Sequence, residues 1–442
     1  MPVDIVRFFN ACNPSKTLVI SNPEDRQYYI DFAPVRGSNI IQKMERTIEL
    51  RANEPTCQLF TGHIGCGKST ELLRLKAELE AKGFFVIYFE SNDNLDLADV
   101  DVTEILLAIA QRVSERLEAE GIRIKPNYFA NLFAEIGEIL QSPVDISQVE
   151  LSTGIAKITA RTRDSQRLRT QLRQRLEPRT NGLLQSINNE LLNEAKRQLM
   201  GRGKKGLVVI IDNLDRVDQR QLASGRTQPE YLFIDRGDQL ARLSCHLVYT
   251  IPLTLIFSDE IETLRQRLGG GTAPQVLPMV PVLQRSGEIH TEGLALLRQM
   301  ILARAFPRVE ALQRIILTPE IFQPPEALDR LCIASGGHVR NLLSLVYNCL
   351  QEQDTPFSLN LVEDVIRRQR DILARPISND EWEHILLVLD EQNLSGDSEY
   401  QKLLRSMFVF EYQDNEGGWY HINPVLEGTQ KYQAWLQGKG AK

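Results

Sequence analysis

Four stretches of this chain are apolar almost without interruption. Phe84-Phe85-Val86-Ile87-Tyr88-Phe89 stops at Glu90, Leu207-Val208-Val209-Ile210-Ile211 stops at Asp212, and His246-Leu247-Val248-Tyr249 stops at Thr250. A shorter one, Thr56-Cys57-Gln58-Leu59-Phe60-Thr61, runs into Gly62. Runs of this length and β-forming composition predict strands covered on both faces, because a half-exposed strand would alternate. A fifth, proline-flanked strand is expected from Gln275 to Val280. Between them the spacing turns helical. Leu72, Leu75 and Leu79 share one face, and further helices are expected over 102–120 and 229–243. Strands alternating with helices predict an α/β fold with a parallel sheet and a ligand at the carboxyl ends of its strands.

The remaining segments read differently. Residues 1–35 are rich in turn formers and predict an extended arm, followed by a helix carrying Ile40, Ile41, Met44 and Ile48. Residues 102–205 look like a helical insertion between two core strands, with helices near 128–140, around Leu168, Leu172 and Leu176, and over 180–199. From 291 to 374 the pattern is helical throughout. Beyond Pro376 come two short helices, then Met407–Tyr412 and Trp419–Ile422 around a polar turn, which suggests a winged helix. The expected organisation is an arm (1–35), an α/β core (36–285), a helical lid (286–375) and a winged-helix domain (376–442).

Candidate chemistry sits where the first strand ends. Gly62-His63-Ile64-Gly65-Cys66-Gly67-Lys68-Ser69, followed by Thr70, fits the phosphate-binding loop pattern, with strand before and helix after. Glycines let backbone N–H groups turn inward, and the helix start adds positive partial charge. Lys68 is expected on the β- and γ-phosphates, and Ser69 in a Mg²⁺ shell. Asp212, at the end of an apolar strand, is the candidate second metal-organising residue. Asn213 follows it and cannot accept a proton, so the base is sought elsewhere: Asp215 first, with Glu90 the competitor. Asp215 has the alternative of merely capping the turn or pairing with Arg216. Thr250 either positions the attacking water or bonds to backbone. Arg340, in Ser335-Gly336-Gly337-His338-Val339-Arg340, opens a helix and is placed to reach a γ-phosphate.

Charge changes the picture of partners. The 442 residues carry a net charge of −7. Residues 151–205 hold thirteen Lys/Arg against four Asp/Glu, whereas 376–437 hold three against eleven. An acidic C-terminal domain repels a duplex, so nucleic acid, if bound, would sit on the Arg163–Arg179 helix; a solvated face, or one paired with the acidic domain within the chain or between subunits, is favoured over it. No apolar run approaches the ~20 residues that span a bilayer. Six scattered cysteines lack metal-ligand spacing, and with no signal-like N-terminus they predict reduced thiols and a cytoplasmic location.

Taken together, the phosphate loop, Asp212-Asn213-Leu214-Asp215, Thr250, the Gly336-Gly337-x-x-Arg340 motif and the terminal hairpin resemble the AAA+ superfamily. Within it the likeness is to the branch of origin-recognition/Cdc6-like and STAND ATPases, over about residues 36–430. The resemblance implies ATP/ADP and Mg²⁺ as ligands and a sheet order 5-1-4-3-2. It implies Thr250 and Arg340 as the two sensors, Val35-Arg36-Gly37 beside the adenine, and Arg265 or Arg267 as a finger for a neighbouring subunit. Asn213 and the basic insertion depart from the pattern, which points to slow hydrolysis. The expected function is a nucleotide-dependent switch with a protein partner or a second copy. The alternatives are a DNA-binding origin-type ATPase and a scaffold that binds nucleotide without hydrolysing it.

Overall fold

The computed structural model describes residues 3–124, 129, 151–163 and 165–440. The helix expected near 128–140 lies outside the described residues. Five parallel-type strands form the central sheet: β1 (Cys57–Gly62), β2 (Phe85–Glu90), β3 (Leu207–Asp212), β4 (His246–Thr250) and β5 (Gln275–Leu277). Their order is β2-β3-β4-β1-β5, the expected 5-1-4-3-2 read from the opposite edge. This is the α/β fold of a P-loop NTPase. β5 is shorter than the Gln275–Val280 expectation and stops before Pro278, which cannot donate to a ladder.

Two compact units divide the chain: residues 41–61 with 75–275, and residues 1–40 with 62–74 and 276–442. In the first, β2 pairs β3 and β3 pairs β4, both parallel, and β4 pairs β1. Phe85, Ile87, Phe89, Val209, Ile211, Leu247 and Tyr249 join one apolar cluster with Ile105, Leu106, Ile109 and Val113 of the Val102–Ala119 helix. The intervening Val208, Ile210 and Val248 are also fully buried. Both faces are covered, and this is why these strands read as unbroken apolar runs. The helix expected over 229–243 is instead broken into short turns around Gly237. A Cβ on Gly237 would lie 3.2 Å from Leu268 Cβ, so close packing there outweighs helix propensity.

The insertion's cationic helix corrects one expectation. In Gln166–Leu176 the apolar seam turns inward through Leu172 and Leu176, and two of the arginines go with it. Arg169 binds Asp96, and Arg173 binds Asp99 (2.8 Å) and Glu104 (2.8 Å). Arg220 also reaches Asp99. The Asp-rich loop before the Val102–Ala119 helix therefore neutralises this face from inside the same unit, and Arg169 and Arg173 do not serve a distant acidic domain. Burial pushes the Asp99 carboxyl up, but hydrogen bonds and charge from Arg173 and Arg220 outweigh it and hold it below the usual carboxylate range. A sequence reading could not pair residues some 70 positions apart.

The second unit is built on Phe8, Cys12, Phe32 and Val35, packed with Leu297, Ile301, Leu331, Leu342 and Val346. Those last residues come from the helices Thr291–Ala305, Glu326–Ala334 and Val339–Glu352. The arm is not extended at its start: Ile5–Ala11 is a helix, because the Asp4 side chain accepts from the Arg7 N–H and caps it. Buried Arg304 then holds the arm, donating to the carbonyls of Ala11 (3.0 Å) and Tyr28 (3.4 Å). Two short strands not expected in the helical region, β6 (Phe322–Gln323) and β7 (Phe357–Ser358), pair in parallel. Helices Asn379–Glu391 and Ser398–Arg405 lead to the antiparallel hairpin β8 (Val409–Asp414) and β9 (Gly417–Ile422). Its loop is only Asn415-Glu416, tighter than the expected six-residue turn, with Gly417 at a φ of 120° accepting the sharp reversal. Among the described residues, no helix is long and apolar enough to cross a membrane, and the cysteines are free.

Arg173→Ala is expected to cost about 2 kcal/mol in chemical denaturation, because it takes from part-buried Glu104 its arginine partner and from Asp99 one of three. Exposed Arg167→Ala should change stability by less than about 0.5 kcal/mol.

Candidate functional site

The sheet's carboxyl edge gathers three of the expected residues. Register sets Glu90 of β2 opposite Asp212 of β3, and Ile211 opposite Tyr249, so Thr250 follows on β4. Glu90, Asp212 and Thr250 thus end three adjacent strands, which lie about 4.8 Å apart. Asp212 is only 1% exposed. The Tyr88 hydroxyl donates to one of its oxygens (2.8 Å) and the Asn213 N–H to the other (2.7 Å). A carboxylate has about four acceptor positions, so both oxygens retain capacity for a hard cation. Asn213 takes a left-handed conformation with φ 64°. Its amide donates to Glu90 (2.8 Å) and to Asn92 (2.9 Å). Burial, then the nearby Asp212 and Asp93, raise the Glu90 carboxyl above its ordinary pKa. Asp215 lies half-buried in the Leu214–Arg216 turn that follows.

Thr250 takes the backbone-bonded alternative. Its fully buried hydroxyl accepts from the Leu214 N–H at 3.0 Å and faces the Ile211 carbonyl at 3.4 Å. It therefore pins the turn carrying Asp215 to the end of β4. The two finger candidates are tied within the same unit: Arg265 to Glu262 (2.7 Å) and Arg267 to the Ile234 carbonyl (3.4 Å).

The phosphate loop belongs to the other unit, where the lid turn and the hairpin enclose it. Lys68 opens the helix Lys68–Ala81, and Ser69 and Thr70 lie half-buried in its first turn. The Lys68 ammonium donates back to the carbonyls of Gly62 (2.7 Å) and His63 (2.8 Å). Arg36, 3% exposed, donates to the Cys66 carbonyl at 2.8 Å and lies over the Phe32 ring. The expected base-side residue thus reaches the loop itself.

His338 completes this side. It caps the Val339–Glu352 helix, with Nδ1 accepting from the Asn341 N–H at 3.0 Å. That fixes the tautomer, so Nε2 donates to the Ile64 carbonyl at 2.8 Å. The Arg340 N–H donates to the Gly65 carbonyl at 3.2 Å, which seats the Arg340 backbone against the loop. Gly65 is required by more than its φ of 91°: a Cβ there would lie 2.8 Å from the His338 ring. Gly337 is as constrained, since its Cβ would lie 1.6 Å from the Val280 carbonyl oxygen.

The hairpin closes the third side. The Glu411 N–H donates to His63 Nε2 at 3.1 Å, and the Tyr412 hydroxyl to the Gly336 carbonyl at 2.8 Å. The Phe410 ring stacks on His338 and meets His63 edge-on, with centroids at 5.8 and 5.7 Å. Burial lowers the His63 pKa to about 3, with help from His338 and Lys68. Burial lowers that of His338 to about 4. Both rings are neutral near pH 7, the form in which each nitrogen can play the role it is given. His338, Tyr88 and Phe410 were not singled out from the sequence. The Gly336-Gly337-His338 turn and a tyrosine two residues before a strand-ending glutamate were the available signals.

The Glu411 side chain is buried, and its Oε2 has no hydrogen-bond partner among the described residues. Burial raises its pKa from 4.5 to about 7. The folded chain therefore binds this proton more tightly than the unfolded chain, and that stabilisation is lost as pH rises from about 4.5 through 7. Glu411→Gln, compared with the parent by denaturant unfolding, should gain relative stability between pH 5 and pH 8, by up to about 3 kcal/mol.

Residues 38–224 match the model of the KAP family P-loop domain. The matched segment contains the phosphate loop, Glu90, Asp212 and Asp215 but not Thr250 or Arg340. No curated protein matches the chain in sequence. Among solved structures it is similar to the Walker-type ATPase PABY2304 of Pyrococcus abyssi, with 11% identity, TM-score 0.43, and 95% of this chain and 98% of that one covered. It is also similar to the Aeropyrum pernix ORC2 protein, solved as ADPNP-ADP complexes, with 10% identity, TM-score 0.37 and 91% and 94% covered. The Aeropyrum pernix ORC1 protein in complex with DNA gives 13% identity, TM-score 0.37 and 90% and 93% covered.

Proposed function

We propose that this chain, whose residues 38–224 carry a P-loop NTPase domain, binds ATP and hydrolyses it slowly as a conformational switch. The observation that carries the reading is the row Glu90, Asp212, Thr250 at the carboxyl edge of a parallel sheet whose β1 runs into a GxxxxGKS loop. Lys68 neutralises phosphate charge, the loop's amides cradle the phosphates, and Arg340 stands at the loop's rim. The Ser69 hydroxyl and the Asp212 carboxylate would hold Mg²⁺, a hard cation suited to oxygen donors. That ion supplies charge neutralisation at the phosphates when bound.

Of the two candidate bases, Glu90 has the better physical support. It neighbours Asp212 in register, and its carboxyl is already raised toward the pKa a general base needs at neutral pH. The Asn213 amide donates to one Glu90 oxygen, which fixes the carboxylate and lowers its basicity while other acceptor positions remain for water. This restraint accounts for slow turnover. The nucleic-acid alternative is weakened by the internal pairing of Arg169 and Arg173. A winged-helix identity for residues 376–442 is kept as part of the proposal, with the hairpin as its wing.

Mg-ATP turnover of the purified chain tests the assignment. Lys68→Ala should abolish ATP binding in calorimetry. Glu90→Gln should lower kcat by about 10²-fold or more with ATP affinity retained, and Asp215→Ala by less than tenfold. The reverse order would return the base to Asp215, and turnover stimulated by duplex DNA would favour the origin-type alternative.

A further inference from the structure

The hairpin meets the phosphate loop at one acidic residue of β8. The Glu411 N–H donates to His63 Nε2 at 3.1 Å, and the Glu411 carbonyl accepts from the Met279 N–H at 3.0 Å. The main chain of this residue therefore ties the loop, the segment after β5 and the hairpin together. Its side chain has no such anchorage. The residue is 8% exposed, and Oε2 has no hydrogen-bond partner among the described residues. The cross-strand neighbours supply no opposite charge: Tyr420 stands opposite on β9, and the diagonal Gly418 has no side chain, its Cβ position lying 4.0 Å from Glu411 Oε1. A protonated carboxyl can stay in such a place. A carboxylate without a partner is far costlier there and is drawn toward water.

The titratable groups around it respond in other ranges of pH, with one exception. On the loop side are His63 and, beyond it, Lys68; on the lid side is His338. Burial keeps both imidazoles neutral, at about 3 and about 4. On β9, burial raises the Tyr420 hydroxyl, a charge on Glu411 would raise it further, and burial lowers His421. At the hairpin tip Arg285 is committed to Asp414 (3.0 Å), with Glu416 3.9 Å away, and its hydrogen bonds hold Asp414 below the usual carboxylate range. The exception is Glu427, in the Pro424–Gly428 turn after β9. Burial raises it as it does Glu411, against the pull of Arg330, but its charge acts on the Tyr412 hydroxyl, not on the bond to His63.

We infer that the hairpin is a proton-operated latch on the phosphate loop, shut while Glu411 is protonated and opened when its ionised side chain turns to water and withdraws the Glu411 N–H from His63. The loop's role in binding phosphate rests on the nucleotide reading above, but the latch is measured with no nucleotide present, so the two fail separately. Hydrogen exchange of the full chain, followed by mass spectrometry between about pH 5.5 and 8.5 and corrected for the intrinsic rate, tests it. In the parent, exchange over residues 62–67 and 409–412 should rise by roughly thirtyfold across that range. That is the ratio expected when an acid at about 7 in the closed state returns to its ordinary 4.5 on opening. Glu411→Gln keeps the shape without the charge and should lose nearly all of the rise; Glu411→Met, which needs no partner, is a second variant with the same expectation. Glu427→Gln should keep the parent's response. A rise that persists in both Glu411 variants, one that vanishes instead in Glu427→Gln, or a parent with no rise would overturn the latch and leave the phosphate site standing.

Discussion

A single neutral imidazole sets the shape of the phosphate loop. His338 accepts a backbone N–H with one nitrogen and donates to the Ile64 carbonyl with the other. The first hydrogen bond starts a lid helix and the second fixes a loop peptide, so neither element can shift alone. The constraint propagates through the glycines. Gly65 leaves room for the ring, and Gly337 leaves room for the Val280 carbonyl. Phe410 then stacks on a face of the buried imidazole. Burial holds the ring far below its ordinary pKa, because a charged imidazolium here would lose an acceptor and face Arg340 and Lys68.

How much of this was legible in the sequence depended on the range of the interaction. The five strands and the phosphate loop were readable, since they follow from local composition and from a short motif with strand and helix beside it; the strand order came only from the family resemblance. The helix starting at Ile5 was missed because one capping aspartate outweighed a turn-rich neighbourhood. The broken segment around Gly237 was missed because its cause is a contact with Leu268, distant in sequence. The basic helix misled for the same reason. Counting charges finds an excess of arginine, but only the fold reveals that Arg169 and Arg173 point at a loop of aspartates some 70 residues earlier. His338 was visible as a residue, yet its partner Ile64 is 274 positions away, and no periodicity encodes that.

The carboxyl edge of the sheet explains a departure that the sequence could only record. Glu90 and Asp212 end neighbouring strands, where two like charges repel. A glutamate at 213 would add a third carboxylate to this row. Asparagine instead adopts the left-handed turn that non-glycine residues otherwise resist, and its amide donates to Glu90 and Asn92. Tyr88 adds a donor to Asp212 from the same strand as Glu90. The row is thus a set of acidic groups held close by neutral donors, with Thr250 fastening the turn beyond. Such an arrangement raises the Glu90 carboxyl while Asp212 accepts from two neutral donors, which separates their chemical roles.

The same logic applies to the hairpin. Its contacts with the loop are made by main-chain groups and aromatic faces: the Glu411 N–H on His63, Phe410 against two imidazoles, Tyr412 on the Gly336 carbonyl. None needs a charge, so salt leaves them intact. What they do need is a fixed position of the His63 and Ile64 peptides. Any event that turns those peptides must either carry the hairpin with it or break its hydrogen bond to His63. Geometry, rather than electrostatic attraction, therefore links the carboxyl-terminal residues to the Gly62–Ser69 loop.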